Sequence, residues 1–327
     1  NSLMKKKILI LGVTGQDGSL LADYLIKKKY RVYGLIRKSS NRNYDNIKNL
    51  IDKKNFKLIQ GDILDFISIE NILRKIQPNE IYNFADQDHV RWSLQIPFYS
   101  FDVTAKSVFN ILNLVKIHSP KSKYFHPFSS NMFGNTKKRK IIEEESFSPL
   151  SVYALSKVNA FNICEYFKKV HNLKIYGAIF FNHESERRTD EYVSRKITKS
   201  AVKIFLKKQK NLFLGDISTK IDWGYAKDYV KAAYKIMQLN KPDFFVIGAG
   251  KAYSVEYFVR KSFDYLGLNY KKYLRIDKKL LRKAKTKTLI ANTSKAKKVF
   301  KFKPETDLNR LIKIMIQNDL NIEKSKD

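Results

Sequence analysis

Near its start the chain runs Lys7-Ile8-Leu9-Ile10-Leu11-Gly12-Val13-Thr14-Gly15-Gln16-Asp17-Gly18, followed by the amphipathic stretch Ser19–Lys29. Lys7–Val13 predicts a strand. Glycines spaced three apart let the backbone turn tightly and approach a pyrophosphate, and the N-terminus of the next helix offers N–H donors at the positive end of its dipole. Turns use glycine everywhere, so the triplet alone says little. In strand–turn–helix order it reads as a phosphate-binding loop, with Gly12, Thr14, Gly15, Gln16, Asp17 and Gly18 as its candidate contacts.

The alternation continues outward from that loop. Apolar runs at Tyr30–Ile36, Phe56–Gln60, Glu80–Phe84, Lys123–Phe128 and Lys174–Phe180 predict strands, and Ser68–Ile76, Thr104–His118 and Tyr153–His171 predict helices. Repeats of this length join parallel strands through right-handed crossovers. The fold class is α/β, a Rossmann-like doubly wound parallel sheet over residues 4–181. After about Asn182 the rhythm changes to helices with short strands at Asn211–Leu214 and Asp243–Ile247. That pattern predicts a smaller mixed C-terminal substrate lobe over 182–327, which can interleave with the first domain.

Composition narrows the function. The chain has 327 residues, with 64 Lys+Arg against 31 Asp+Glu, a net charge of +33. Such an excess raises polyanions, acidic membranes and anionic small molecules as partners. The basic residues are scattered and form no nucleic-acid recognition module, so neither nucleic acid nor membrane is expected as a partner. Cys164 is the only cysteine, which excludes an intrachain disulfide framework and a Cys-rich metal site. His89, His118, His126, His171 and His183 show no metal-ligand pairing, and no metal is expected. The longest apolar runs fall far short of the ~20 residues that cross a bilayer. No secretory signal opens the chain, so the expected location is cytoplasmic.

The second strand selects the cofactor. Folds that prefer NAD place Asp or Glu at its end, to bond the adenosine 2′-hydroxyl. Here the segment reads Arg31-Val32-Tyr33-Gly34-Leu35-Ile36-Arg37-Lys38-Ser39-Ser40, without an acid. Arg37, Lys38 and Ser39 suit a 2′-phosphate that a carboxylate would repel, so NADP is expected. The competing reading is a solvated basic face in a Lys-rich chain. Asp62 and Ile63, after the third strand, are candidates for the adenine.

Tyr153-Ala154-Leu155-Ser156-Lys157 puts a phenol and an ammonium four residues apart on one helix face. A neighbouring ammonium favours phenolate, so Tyr153 is expected to exchange a proton with a sugar or alcohol hydroxyl near neutral pH. Ser129 and Ser130, ending the fifth strand, can bond the same hydroxyl. With the glycine loop, this constellation resembles the extended short-chain dehydrogenase/reductase superfamily. Four blocks resemble, in order, the GDP-mannose 4,6-dehydratase family. They are Gly12–Ser19, Phe181-Asn-His-Glu-Ser-Glu-Arg-Arg188, Arg195-Lys-Ile197 and Asp222-Trp-Gly-Tyr-Ala-Lys-Asp-Tyr229.

The resemblance implies bound NADP, a GDP-hexose or other nucleotide-diphosphate sugar as substrate, and a homo-dimer or homo-tetramer. It also implies a 4,6-dehydration that yields a 4-keto-6-deoxy sugar nucleotide for deoxysugar biosynthesis. In that chemistry Tyr153 deprotonates the C4 hydroxyl, Ser129 contacts O4, and Lys157 tunes Tyr153 and holds the nicotinamide ribose. The resemblance further carries Phe84, Ala85, His183 and Arg188 to the cofactor. It carries Gln87, Ser93, Asn182, Lys196, Lys220 and Arg282 to the sugar nucleotide.

The chain departs from that family where the dehydration acid/base belongs. The family's Thr-Ser-Glu is Ser129-Ser130-Asn131 here, and an amide is neither a useful acid nor a useful base. Oxidation at C4 needs no residue 131, so a nucleotide-sugar 4-epimerase or 4-ketoreductase is the alternative reading. Asp86 and Asp88, flanking Gln87, are candidate replacement acids, as are Glu143–Glu145; solvated loop carboxylates are the plainer account. Ile221 stands where the family has a diphosphate-binding Arg. In Leu281-Arg282-Lys283-Ala284-Lys285, Lys285 replaces a Glu that accepts from the ribose diol.

Overall fold

The computed structural model describes residues 6–39, 44–281 and 287–326. In chain order its first half holds β1 (Lys7–Leu11), α1 (Gln16–Lys27), β2 (Arg31–Ile36), β3 (Phe56–Gln60), α2 (Phe66–Ile76), β4 (Glu80–Asn83), α3 (Val90–Gln95) and α4 (Pro97–Phe101). A π-helical turn (Asp102–Lys106) leads into α5 (Ser107–His118), β5 (Lys123–Ser129), a 3₁₀ turn (Ser130–Phe133), β6 (Lys140–Ile141), α6 (Val152–Val170) and β7 (Lys174–Phe180). Then come β8 (Asn182–Glu184), α7 (Val193–Phe205), β9 (Leu212–Leu214), β10 (Lys220–Tyr225), α8 (Ala226–Met237), β11 (Phe244–Ile247) and β12 (Ala252–Ser254). The last elements are α9 (Val255–Asp264), β13 (Leu274–Ile276), β14 (Ile290–Ala291), α10 (Ser294–Phe300) and α11 (Leu308–Lys324).

Seven strands form one parallel sheet in the order β11-β7-β5-β4-β1-β2-β3. The chain lays down β1, β2 and β3 to one side, then crosses back to set β4 against the other edge of β1. Ligands bind open α/β sheets beyond the C-terminal strand ends at such a reversal. The glycine loop leaves β1 at that point.

Strand side chains alternate between two cores, as a sheet covered on both faces requires. Leu9 and Leu11 join Ile72, Ile111, Leu112, Cys164 and Phe167 beneath α2, α5 and α6. Ile8 and Ile10 join Leu21, Leu25, Tyr229, Ala233 and Met237 beneath α1 and α8. A third core gathers Ile197, Ala201, Phe258, Val259, Leu311 and Met315 from α7, α9 and α11. Beside it lies the small sheet β12-β10-β8, with β10 parallel to β8 and antiparallel to β12.

The predicted strands and helices occur with ends shifted by a few residues. Lys7–Val13 stops at Leu11, because Gly12 turns away at φ 79°. Thr104–His118 divides into the π-helical turn and α5. Elements beyond residue 182 complete the first sheet and its covering layer: β11 pairs with β7, α8 packs against α1, and Ala296 of α10 joins the same core. The outer edge of β11 is closed by Glu143, whose Oε1 accepts the Val246 N–H at 2.8 Å.

Ile10 is fully buried at the centre of this sheet. Ile10→Ala removes methyl groups that the close-packed surroundings cannot replace, and should lower unfolding free energy by about 2–5 kcal/mol in urea titrations.

Candidate active site

The loop after β1 is built by close backbone contact. A Cβ on Gly12 would lie 2.6 Å from the Phe84 carbonyl oxygen, and one on Gly18 would lie 2.3 Å from the Gly12 carbonyl oxygen. Only glycine lets the first turn of α1 sit this close to the ends of β1 and β4. The Gly15 N–H donates to Gly12 O at 3.1 Å, and Gly15 caps α1 without a side-chain bond. The first helical N–H groups therefore have no side-chain acceptor. Thr14 O accepts from Asn46 Nδ2 at 3.0 Å, which pins the turn from outside.

The block Phe181–Arg188 docks onto that turn. Gln16 Nε2 donates to His183 O at 3.2 Å, and Ser185 Oγ donates to Gln16 Oε1 at 2.8 Å. His183 Nδ1 lies 2.8 Å from Phe181 O and Nε2 lies 2.8 Å from Asp17 Oδ2, two acceptors that favour the imidazolium. Burial alone would push the imidazolium down and the Asp17 acid up. Their ion pair outweighs it, holding His183 above its ordinary value of 6.5 and Asp17 below 3.8. Arg188 stacks 3.3 Å over the Tyr192 ring and lies 3.3 Å from both Glu184 and Asp88. Tyr192 lies outside the quoted blocks and emerges only from the folding of this segment.

At the end of β2, Arg37, Lys38 and Ser39 are exposed, and Arg37 Nη1 donates to Tyr99 Oη of α4 at 2.7 Å. Asp62 Oδ1 accepts the Leu64 N–H at 2.9 Å and shapes the turn after β3, while Ile63 is buried. Phe84 and Ala85 pass directly under Gly12.

The reacting side chains meet beyond β4 and β5. Tyr153 and Lys157 lie in the first turns of α6, both buried, with Lys157 Nζ 5.9 Å from the centre of the Tyr153 ring. Ser129 beside them is buried, and its Oγ accepts the Asn131 N–H at 3.2 Å. Asn131 is exposed on the 3₁₀ turn. Lys157 Nζ donates to Pro127 O at 2.6 Å and forms an ion pair with Asp86 Oδ2.

Several expectations change here. Lys157 does pull Tyr153 toward phenolate, but burial outweighs it and Asp86 and Asp88 oppose it, so the phenol titrates above its ordinary range. Asp86 is no solvated loop acid, since its side chain is only 9% exposed. Burial pushes its carboxyl up while Lys157 pulls it down, and burial wins. Lys157 itself, despite burial, is held above its ordinary value by Asp86 and Tyr153.

Ser93, expected at the sugar nucleotide, is fully buried. Its Oγ donates to Val90 O at 2.7 Å and accepts the Tyr153 N–H at 3.2 Å, so it anchors the start of α6. Gln87 accepts from Ser100 Oγ at 2.9 Å and donates to His89 O at 3.2 Å. Asn182 on β8 is exposed, Lys196 on α7 is half-buried, and Lys220 on β10 is exposed. Arg282 and Lys285 lie outside the described residues. Glu143 is spent on the edge of β11, and Glu145 accepts from Thr136 Oγ1 at 2.6 Å. Among the described residues no three metal-ligating side chains cluster.

A family model described as GDP-mannose 4,6 dehydratase matches residues 9–315. GDP-mannose 4,6 dehydratase 2 of Arabidopsis thaliana is 39% identical over 330 residues, covering 98% of this chain and 88% of the relative. The Dictyostelium discoideum GDP-mannose 4,6 dehydratase is 33% identical over 99% of this chain and 98% of its own. In structure, the chain is similar to dTDP-glucose 4,6-dehydratase from Bacillus anthracis, solved with NAD. The TM-score is 0.86 at 21% identity, covering 98% of each chain.

The Asp17–His183 pair predicts a pH signature. The raised His183 contributes stability in full below 6.5 and loses it as pH climbs through its folded value. The lowered Asp17 contributes in full above 3.8 and loses it as pH falls through its folded value. The unfolding free-energy gap between the native protein and His183→Gln should therefore be widest near pH 5–6. Denaturant titrations should show it narrowing steadily toward pH 9.

Proposed function

The chain belongs to the GDP-mannose 4,6-dehydratase family, and from that premise we propose that it is an NADP-dependent dehydratase converting a GDP-hexose to its 4-keto-6-deoxy form. The observation that carries this is the burial of Tyr153 and Lys157 beside Ser129, beyond the C-terminal ends of β4 and β5. The loop fits a dinucleotide: Gly12 has no room for a side chain, α1 has no side-chain cap, and Arg37 and Lys38 stand exposed where a 2′-phosphate would lie. We propose that 4–181 supplies the NADP-binding part and 182–327 the nucleotide-sugar lobe, interleaved through α8 and β11.

When bound, the nicotinamide supplies a hydride acceptor for C4 of the sugar and later a hydride donor for C6. Tyr153 takes the C4 hydroxyl proton, Ser129 holds O4, and Lys157 stabilises the phenolate that this exchange requires. A 4-keto group acidifies the C5 proton, which must leave with the C6 hydroxyl. Asn131 cannot take that proton. Asp86 and Asp88 are carboxylates that act on Tyr153 electrostatically, and we propose one of them as the replacement base. Asn131 is also the observation that favours a 4-epimerase or 4-ketoreductase as the second reading.

A homo-oligomer is supported by apolar side chains left exposed on α5 and α6, among them Phe109, Ile117, Leu155 and Tyr166. A cytoplasmic location fits the free, buried Cys164. No described helix is long and apolar enough to cross a membrane.

Incubation with NADP and GDP-mannose in deuterated water should give a 6-deoxy-4-keto sugar carrying deuterium at C5 by NMR. Sugar altered only at C4 would support the second reading. Tyr153→Phe should lower turnover by about 10²-fold or more. For the cofactor, Arg37→Glu should weaken NADP binding about tenfold or more in calorimetric titrations while sparing NAD. Equal losses for both would count against a 2′-phosphate at Arg37.

A further inference from the structure

The stretch between β4 and α3 is held against the start of α6 at two points. Asp86 pairs with Lys157, and Ser93 Oγ accepts the Tyr153 N–H at 3.2 Å. Between them His89 O accepts both the Ser93 N–H at 3.1 Å and Gln87 Nε2 at 3.2 Å. Asp88 is thereby carried past the helical turn that holds Tyr153. Successive side chains diverge here: Asp86 turns to α6, Gln87 to Ser100 of α4, and Asp88 to Arg188, 3.3 Å away after β8. The Asp88 charge acts on Tyr153, Lys157, Arg188 and Tyr192, so it lies among the groups of the site.

Asp86, Asp88 and Glu143–Glu145 are the candidates for the missing dehydration acid/base. Asp86 is closed in, with one oxygen on Lys157 and the other buried. Glu143 and Glu144 face Asp243 and Lys295 at the β11 edge of the sheet. Glu145 accepts from Thr136 Oγ1 and pairs with Lys138. Asp88 combines an open side chain, 53% exposed, with a place beside Tyr153.

We propose that Asp88 is the acid/base of the dehydration, standing in for the Glu that Asn131 replaces. This rests on the dehydratase reading above and narrows its two aspartates to one. Once C4 is a ketone, the C5 proton moves to an Asp88 oxygen, the C5–H pair becomes the C5–C6 double bond, and the C6–O bond breaks. Asp88 passes that proton to the departing hydroxyl, so water leaves and the carboxylate is restored. Hydride from the reduced cofactor then adds to C6, and C5 takes up a proton that Asp88 has collected from solvent.

The experiment compares native protein with Asp88→Asn, a change of little volume at an exposed position, in deuterated water with NADP and GDP-mannose. Native protein should form the 6-deoxy-4-keto sugar with deuterium at C5 by NMR. The variant should form it about 10²-fold more slowly or worse. It should still reduce bound NADP when GDP-mannose is added, read as the near-ultraviolet absorbance of the reduced cofactor, because C4 oxidation uses Tyr153 and Lys157. In calorimetric titrations it should bind both ligands as the native protein does.

Dehydration at the native rate in Asp88→Asn overturns the proposal. So does a parallel loss of cofactor reduction or of NADP affinity, which marks Asp88 as a support for Tyr153 or Arg188 instead. Native protein that leaves the C6 hydroxyl of GDP-mannose in place overturns the dehydratase reading itself, and the role of Asp88 with it.

Discussion

The docking of the segment after β7 onto the first turn of α1 is the contact on which the site depends. Gln16 and Asp17 begin the helix whose N-terminus faces the glycine loop, and they are also the residues that grip His183 and Ser185. One helical turn thus belongs to both halves of the cleft. Arg187 adds a further tie, pairing with Asp23 at 2.5 Å about two turns along α1. From β8 the connection passes to β10, where the Asp222 carboxylate accepts the N–H groups of Ala249, Gly250 and Ala291 at 2.9–3.0 Å. These polar contacts join the two walls of the cleft, alongside the apolar core in which α8 packs against α1.

The positive excess takes on a structural meaning in this setting. Several lysines lie at helix C-termini, where the last carbonyls lack intrahelical donors and the dipole favours cations. Lys7 Nζ reaches Ile76 O at the end of α2, and Lys123 Nζ reaches Met237 O and Leu239 O beyond α8. Lys6 neutralises Glu80, which is buried on β4. Those roles need single, well-placed ammonium groups and create no continuous basic surface. The remainder of +33 is charge on solvated faces, as its scatter along the sequence suggests.

Local spacing carried most of what was legible in the sequence. The glycine loop and Tyr153/Lys157 depend on intervals of three and four residues, which a turn or a helix converts directly into position. The strand alternation was equally readable, because apolar residues on both faces demand a covered parallel sheet. What escaped depends on distant packing. Asp86 looks like any loop acid until α6 closes over it, and Ser93 looks like a ligand contact until its hydroxyl is found under the start of that helix. The raised phenol of Tyr153 was missed for the same reason: the four-residue interval reveals the ammonium, whereas the burial that outweighs it comes from the surrounding chain. The order of strands, which takes β11 into the first sheet, has no local signature at all.

That last feature bears on how the chain is made. β7 is complete at Phe180, but its outer hydrogen-bonding edge stays open until Phe244–Ile247 has been synthesised. At bacterial or eukaryotic elongation speeds of roughly 5–20 residues per second, a nascent sheet with an unpaired apolar strand persists for several seconds. An open edge of that kind is a template for pairing with another chain. The interval between residues 181 and 247 is thus the stretch of synthesis over which this edge is open to pairing with another chain.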